Sequence, residues 1–590
     1  MNDKKAFCAV IILFFLIMSF LLSPYLDSGL PGLISQMSAD GFKLKIQLGK
    51  NTLRCCLLSL VMSFAVISAV FPPGDEQMKS DEFGSASFGD ARRLNEKYRD
   101  TEGCGCKILS KNVSISLNGF SHRRNVNVLV CGGSGSGKTR YYAKPNVMNA
   151  DCSMIVLDPK GEIVRSTGHL LEEKGYTVKA IDLINMEKSC CYNPFSYLRD
   201  ENDVQRMCTN LFANTTPKKS QSSDPFWDKA AMMLLLAIVF YLIYEAPSYE
   251  QNFPMVMEMI RAGEVRENDE SYRSVLDELF FELPDGHTAK KYYMAYRSGN
   301  AKTLKSIQIS LISHLEKFNL SSLAAITSYD ELNLDSVGEK KTAIFAVTSE
   351  NDTSFNFLIG MLYTQLFQRL YYIADKKYKG ALPVHVHFNM DEFANVPLPD
   401  DFDKILSTMR SRGISVSIII QNMAQLKNLY RDEWESIVGN CDEFVYLGGN
   451  ELSTHEYVSK LIGKQTIKYE THSKSRGKSG SYSTTEYVAA RSVMNPDEVR
   501  MLDNGKCLLF IRGEKCVKDD KFDLMRHKNI SLTTDGGYRE YDYGIERHYF
   551  AFLTAELSSR LRDEGDEERD TSRYEITSAA CEEGKGGDDG

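Results

Sequence analysis

The sequence predicts an α/β domain, broken by an all-α insert and preceded by a two-helix transmembrane hairpin. Three observations point there. The glycine-rich turn "GGSGSGKT" follows the apolar run Asn127-Val128-Leu129-Val130 and leads into a segment that can continue as a helix. Strand signal then fades from Arg199 to Glu331, where long apolar and charged runs of helical character dominate, and resumes at Lys341–Val347 ("KTAIFAV"). Two charge-free apolar segments, Ala6–Leu22 and Cys55–Phe71, stand near the N-terminus, each close to the shortest length that crosses a bilayer.

The turn has the spacing of a P-loop: Gly132, Gly133, Ser134, Gly135, Ser136, Gly137, Lys138, Thr139. Glycines let successive amide N–H groups point into one concavity, and the helix that follows adds its positive N-terminal end, so the loop is suited to cradle phosphate. Lys138 is placed to reach the β- and γ-phosphates of ATP, and the Thr139 hydroxyl to bind Mg²⁺.

A P-loop needs acidic partners. "VHVHFNMDE", Val384–Glu392, reads as a strand ending in two acids, with Asp391 placed to hold Mg²⁺ and Glu392 to polarise the attacking water. His385 and His387 in this strand read as structural, because no third metal ligand stands beside them. "ISVSIII", Ile414–Ile420, is a β-branched strand that delivers Gln421 beside the acids, where an amide can sense the γ-phosphate. Between the two lies "LSTMRSRG", whose Arg410 or Arg412 can stabilise transition-state charge, on a neighbouring subunit's site.

The segment between Lys138 and Asp391 is longer than a simple P-loop core requires, and its helical middle marks an inserted all-α domain. The run Ala230–Tyr244 inside it is 15 residues long, reads as a buried core helix, and follows a helix start at Asp224-Pro225.

For the N-terminal segments a signal peptide is the rival reading, since Lys4 and Lys5 form a basic start, but no small-x-small cleavage site follows at Ser23-Pro24. A nucleotide-using domain faces the cytoplasm, so two spans put the N-terminus inside as well. That orientation leaves Lys43, Lys45, Lys50 and Arg54 outside, against the usual bias.

Composition narrows the partners. A length of 590 residues suits about three to four domains. With a net charge of −9, nucleic-acid contact has to be local. The 14 cysteines lack zinc-site spacing and read as reduced cysteines of a cytosolic protein.

Together these segments resemble the coupling proteins of conjugative type IV secretion, the TraG kind within the FtsK/HerA group of motor ATPases. The resemblance is carried by the N-terminal hairpin, "FGSASFGDARRL", "GGSGSGKT", "IVLDPKGE", "YNPF", "DPFWDKAA", "MDEFANV", "MRSRGISVSIIIQNMAQL" and "EFVYLGGNE", and covers about residues 5 to 515. It implies a RecA-like P-loop motor anchored in the cytoplasmic membrane as a multi-pass protein, with the motor in the cytoplasm. It further implies a homo-hexamer that takes a relaxase, its relaxosome proteins and single-stranded DNA to the type IV secretion channel by hydrolysing ATP, with Mg²⁺ as cofactor. Position by position, Lys138 and Thr139 match the nucleotide lysine and Mg²⁺ ligand, Asp391 and Glu392 the acidic pair, Gln421 the sensor and Arg410 the intersubunit arginine finger, with Arg412 matching less well. In that family the insert is the cytoplasmic cap that meets the relaxase; packing alone is its simpler role. Export of protein effectors, a non-hydrolysing membrane scaffold and a chromosome segregation pump are the alternative readings.

The expected organisation is a transmembrane hairpin over 1–75, the first part of the nucleotide-binding domain over 76–198, the all-α insert over 199–335, the second part over 336–540 and an acidic disordered tail over 541–590. Lys464–Ser483, rich in Ser, Gly, Lys and Arg, is expected to be a flexible loop that contacts a DNA backbone or merely connects.

Overall fold

The structure is a computed structural model describing residues 2–23, 51–70, 83–216, 225–267, 272–399, 401–474 and 482–544. The chain divides into two compact units, Ser87–Gly463 with Ser492–Gly590, and Met1–Ala86 with Lys464–Arg491.

In the larger unit a small antiparallel pair, β1 (Cys106–Ile108) and β2 (Ser114–Ser116), precedes the main sheet. The main sheet begins with β3 (Val128–Cys131), β4 (Ser153–Pro159) and β5 (Thr177–Asp182). After the insert come β6 (Thr342–Thr348), β7 (Val386–Met390), β8 (Ile414–Ile420) and β9 (Glu443–Tyr446). The smaller unit contributes β10 (Lys464–Lys474) and β11 (Tyr482–Ser492), and the larger one closes with β12 (Lys506–Ile511) and β13 (Val517–Asp520).

Nine of these strands form one sheet in the order β13-β12-β9-β3-β8-β7-β4-β6-β5. The seven from β9 to β5 run parallel, and β12 and β13 add an antiparallel edge. Strands such as "VLVC", "TAIFAVT" and "ISVSIII" are buried along their whole length, the pattern of a parallel sheet covered on both faces. Successive side chains alternate between two cores: Leu129, Ile155 and Leu157 enter one, Val130, Met154 and Val156 the other.

The first core is shared with the insert, all of which lies between β5 and β6. Its helices Glu201–Thr215, Phe253–Ala262, Val275–Glu282 and Ala301–Leu315 each start at a capping side chain, Asp200, Asn252, Ser274 and Asn300, which satisfies an otherwise unpaired first-turn N–H. At their centre is Pro225–Glu245, the one helix among the described residues long and apolar enough by composition to cross a membrane. Leu234, Leu235, Ile238 and Val239 are fully buried among the neighbouring helices, so it is the core helix that its length suggested.

The second core is covered by the helices Lys144–Asn149 and Glu162–Glu173 and by the chain after β13. That last stretch stays packed to Gly544, three residues beyond the expected start of the tail; the rest of the acidic tail lies outside the described residues. Tyr541 occupies the space left by Gly168, where a Cβ would come within 2.0 Å of its ring.

In the smaller unit the helices Asn2–Leu22 and Thr52–Val70 pair antiparallel, with Ser23 Oγ 2.5 Å from Thr52 Oγ1 and Ser19 Oγ 3.4 Å from Cys56 Sγ. Their polarity is reversed from that of a water-soluble pair: Ser19, Ser59 and Ser63 are buried, while Leu13, Phe14, Leu58, Val61 and Phe64 are exposed. The clearly apolar stretches, Val10–Leu21 and Thr52–Val66, are shorter than a full span. The segment expected to be a flexible loop is instead mostly the antiparallel ribbon β10–β11, with Tyr469 stacked on Tyr487 across it and the Ser85 segment bridged to Gln465. Alternating Thr, Tyr, Val and Ile residues favour strand over coil there despite the Ser/Lys content. Residues 475–481, with Arg476 and Lys478, are outside the described residues.

Candidate functional site

Parallel strands deliver their C-terminal ends to one edge of the sheet, the edge at which α/β folds bind ligands. Here the glycine loop leaves β3, the acidic pair leaves β7, and Gln421 leaves β8, which lies between them. The interposed β8 accounts for Gln421 being close to both.

The loop is held from two sides, Gly132 N–H donating to Ile420 O at 3.1 Å and Gly133 N–H to Gly448 O at 2.8 Å. Gly135 and Gly137 adopt left-handed φ of 75° and 82°, which side chains resist, and a Cβ on Gly132 would stand 2.3 Å from Ser136 Oγ. Thr139–Ala143 forms one wide π-turn before the helix Lys144–Asn149, a distortion often found at functional sites. Lys138 Nζ lies 3.4 Å from Gly133 O, reaching over its own loop.

Across the edge, Thr139 Oγ1 donates to Asp391 Oδ2 at 2.5 Å. Asp391 is only 3% exposed; burial raises its pKa, opposed by the Thr139 hydrogen bond and the Lys138 charge. Glu392 follows in the left-handed region at φ 54°, and its Oε2 accepts from Asn395 Nδ2 at 2.8 Å. Gln421 is fixed by its N–H donating to Gln425 Oε1 at 2.9 Å, and Asn422 caps the helix Met423–Leu429 that begins there.

The eight loop residues, Asp391, Glu392 and Gln421 therefore meet at one edge. Arg410 does not. It precedes β8, whose seven residues separate the two edges by roughly 20 Å, and its Nη2 donates to Gly119 O at 2.9 Å with the guanidinium over the Phe120 ring. Arg412 is held by both carboxylate oxygens of Asp375, at 3.0 and 2.9 Å.

The site also gathers residues that motif spacing did not single out. Asp158 ends β4 beside β7, accepting from Ile163 N–H at 3.1 Å and Val164 N–H at 2.8 Å; burial pushes its pKa up to about 7, with a contribution from Asp391. Lys160, at φ 74°, pairs with Glu350 at 2.9 Å and feels the charge of Glu392. Both lie in "DPKGE", a visible cluster for which no spacing rule linked it to Asp391. Lys521 Nζ donates to Ser136 O at 2.8 Å, a contact between positions 385 residues apart that no local signal announces.

His387 is buried and His385 half-buried, in one hydrogen-bonded chain. Ser415 Oγ bridges them at 2.7 and 3.0 Å, and Ser417 Oγ links His387 to the Tyr142 hydroxyl at 3.0 and 2.7 Å. No group of three or more His, Cys, Asp or Glu side chains suited to a metal occurs among the described residues.

A glycine-loop strand and an acid strand separated by one further strand, in a mixed sheet carrying a helical insert, make this an α/β fold with a P-loop. Residues 76–533 match the family described as Type IV secretory system Conjugative DNA transfer, and the chain belongs to that family. It is similar to Protein VirD4 of Rhizobium radiobacter, with 23% identity over 403 residues that cover 66% of this chain and 56% of the relative. Conjugal transfer protein TraG from the same organism is 20% identical over 418 residues, covering 69% of this chain and 63% of the relative. The matches thus span little more than half of those relatives' lengths. Among solved structures, the bacterial conjugative coupling protein TrwBdeltaN70 has a TM-score of 0.55 at 14% identity, covering 75% of this chain and 94% of the other. The plasmid coupling protein TrwB in complex with ADP and Mg²⁺ has a TM-score of 0.53 at 16% identity, covering 75% and 97%. These share the fold.

Proposed function

We propose that the chain is an Mg²⁺-dependent ATPase that couples a relaxase–DNA complex to a type IV secretion channel and drives DNA transfer during conjugation. The observation that carries the reading is the 2.5 Å contact between Thr139 and Asp391, with Glu392 next in sequence and Gln421 on the strand between loop and acids.

The residues present fit a nucleotide and its metal. Ser136 Oγ is buried without a partner, the loop has no room for side chains at Gly132, and a hydroxyl and a carboxylate meet where a hard cation takes oxygen ligands. Gly132 to Gly137 would cradle the phosphates, Lys138 would neutralise them, and Thr139 and Asp391 would hold Mg²⁺. When bound, Mg²⁺ supplies positive charge that offsets the charge developing on the transferred phosphoryl group. Glu392 orients the attacking water and takes its proton; Gln421 contacts the γ-phosphate or that water. Arg410 serves a neighbouring subunit's site, since its own lies at the opposite edge, and a homo-hexamer supplies that neighbour.

The two N-terminal helices form a membrane hairpin that leaves the motor in the cytoplasm. Support comes from their inverted surface, small polar residues inside and large apolar ones outside, the arrangement that suits lipid. The proposed organisation is hairpin over 1–75, motor over 76–198 and 336–540, relaxosome-facing insert over 199–335 and an acidic tail over 541–590. Relatives named for VirD4 and TraG and the neighbour bound to ADP and Mg²⁺ support the reading.

The test is ATP turnover by the full chain in lipid nanodiscs, with and without single-stranded DNA. Stimulation by DNA is expected; turnover indifferent to DNA but raised by a protein substrate would favour effector export instead.

A further inference from the structure

Glu392 pays for its place in backbone conformation. A residue with a side chain at φ 54° sits in a disfavoured region that the surroundings must hold. What holds it is Asn395: its Nδ2 donates to Glu392 Oε2 at 2.8 Å and its N–H to Glu392 O at 2.9 Å. A carboxylate only accepts, so the amide nitrogen is the atom that faces it. Asn395 is tied in turn, its carbonyl accepting from Asn356 Nδ2 at 2.8 Å. Asn356 is 3% exposed and opens the helix Asn356–Tyr372. Both asparagines line a cleft of about 1100 Å³ whose far wall is the insert helix Glu201–Thr215, through Asn210 and Asn214. The carboxylate at the reaction edge is therefore one hydrogen bond from Asn395 and two from Asn356, both of which line the cleft against the insert.

We propose that Asn395 is a positioning residue for Glu392, and that Asn356, through Asn395, ties the general base to the cleft between motor and insert. The inference rests on the reading of Glu392 as the base. With Oε2 engaged by the amide, Oε1 is left to face the water; without it, the carboxylate samples rotamers that miss the in-line path. Movement of the insert against the helix Asn356–Tyr372 then reaches the chemistry without touching the nucleotide.

The test uses the full chain in nanodiscs. Asn395→Ala is expected to lower kcat about 10- to 100-fold while KM and the affinity for a fluorescent ATP analogue stay unchanged, the mark of a misplaced base with an intact nucleotide pocket. Asn356→Ala should act in the same direction more weakly, and the double variant should match Asn395→Ala alone, because the two act through one contact. Asn395→Asp, isosteric but without the donor, keeps the question answerable if the alanine variant does not fold; it too should lose kcat alone. Wild-type kcat in folded Asn395→Asp, or equal losses in kcat and nucleotide affinity, overturns the proposal. Glu392→Gln separates the two readings: if that variant still hydrolyses ATP, the role of Glu392 fails, whereas if it is inactive and both Asn395 variants are normal, only the positioning role fails.

Discussion

At the scale of single residues, the glycine-loop edge of the sheet was legible because each group announces itself locally. Gly132 to Thr139 form a spaced motif, and Asp391 and Glu392 end a recognisable strand. Asp158, Asn395 and Lys521 were not legible as site residues, because their roles come from sheet order and from a chain return that spacing does not encode. His385 and His387 read from sequence as structural, and the structure gives that a measurable consequence. Burial pushes His385 down to about 3 and His387 well below its usual value. The folded state thus stays neutral where the unfolded chain takes up protons, so stability is present above about pH 6.5 and is lost as the pH falls toward 3. The loss amounts to at most about 1.4 kcal/mol per histidine per pH unit. His387→Gln should flatten the fall in unfolding midpoint between neutral and mildly acidic pH; an unchanged slope would show that these histidines are protonated in the folded state.

At the scale of elements, strands with β-branched runs emerged near their expected limits, since a sheet buried on both faces demands such runs. The ribbon β10–β11 did not, because its Ser, Lys and Gly content imitates a loop while its stability comes from cross-strand partners such as Tyr469 and Tyr487. The segment after β13 was equally hidden. It lies over the helices of the loop and of "DPKGE", joining Asp535 to Lys144 and Tyr543 to Asp182. A glycine in mid-helix costs about 1 kcal/mol against alanine, and Gly168 is retained where Tyr541 needs the space. Gly168→Val should destabilise the protein by about 2 kcal/mol, and Tyr541→Ala in the same chain should recover part of that loss. If Gly168→Val melts like the wild type, the segment does not pack there in solution.

At the scale of the whole molecule, the interrupted α/β layout was readable from where strand signal stops and restarts; Arg410, expected to act on a neighbouring subunit's site, lies in the structure before β8, at the edge opposite the glycine loop. Under the proposed function, Lys138→Ala and Arg410→Ala each abolish turnover alone, yet mixing the two chains should restore a fraction of it at sites that combine an intact loop with an intact neighbouring arginine. No recovery in verified mixed oligomers would place the arginine's role within one subunit. The proposed function requires the loop after β3 and the acids after β7 to form one hydrolytic site. The most direct measurement is ATP hydrolysis by the full chain and by Glu392→Gln, at nucleotide concentrations that saturate both. Equal ATP binding is expected, with turnover reduced by about 10²- to 10⁴-fold in the variant; undiminished turnover by Glu392→Gln would rule out Glu392 as the general base.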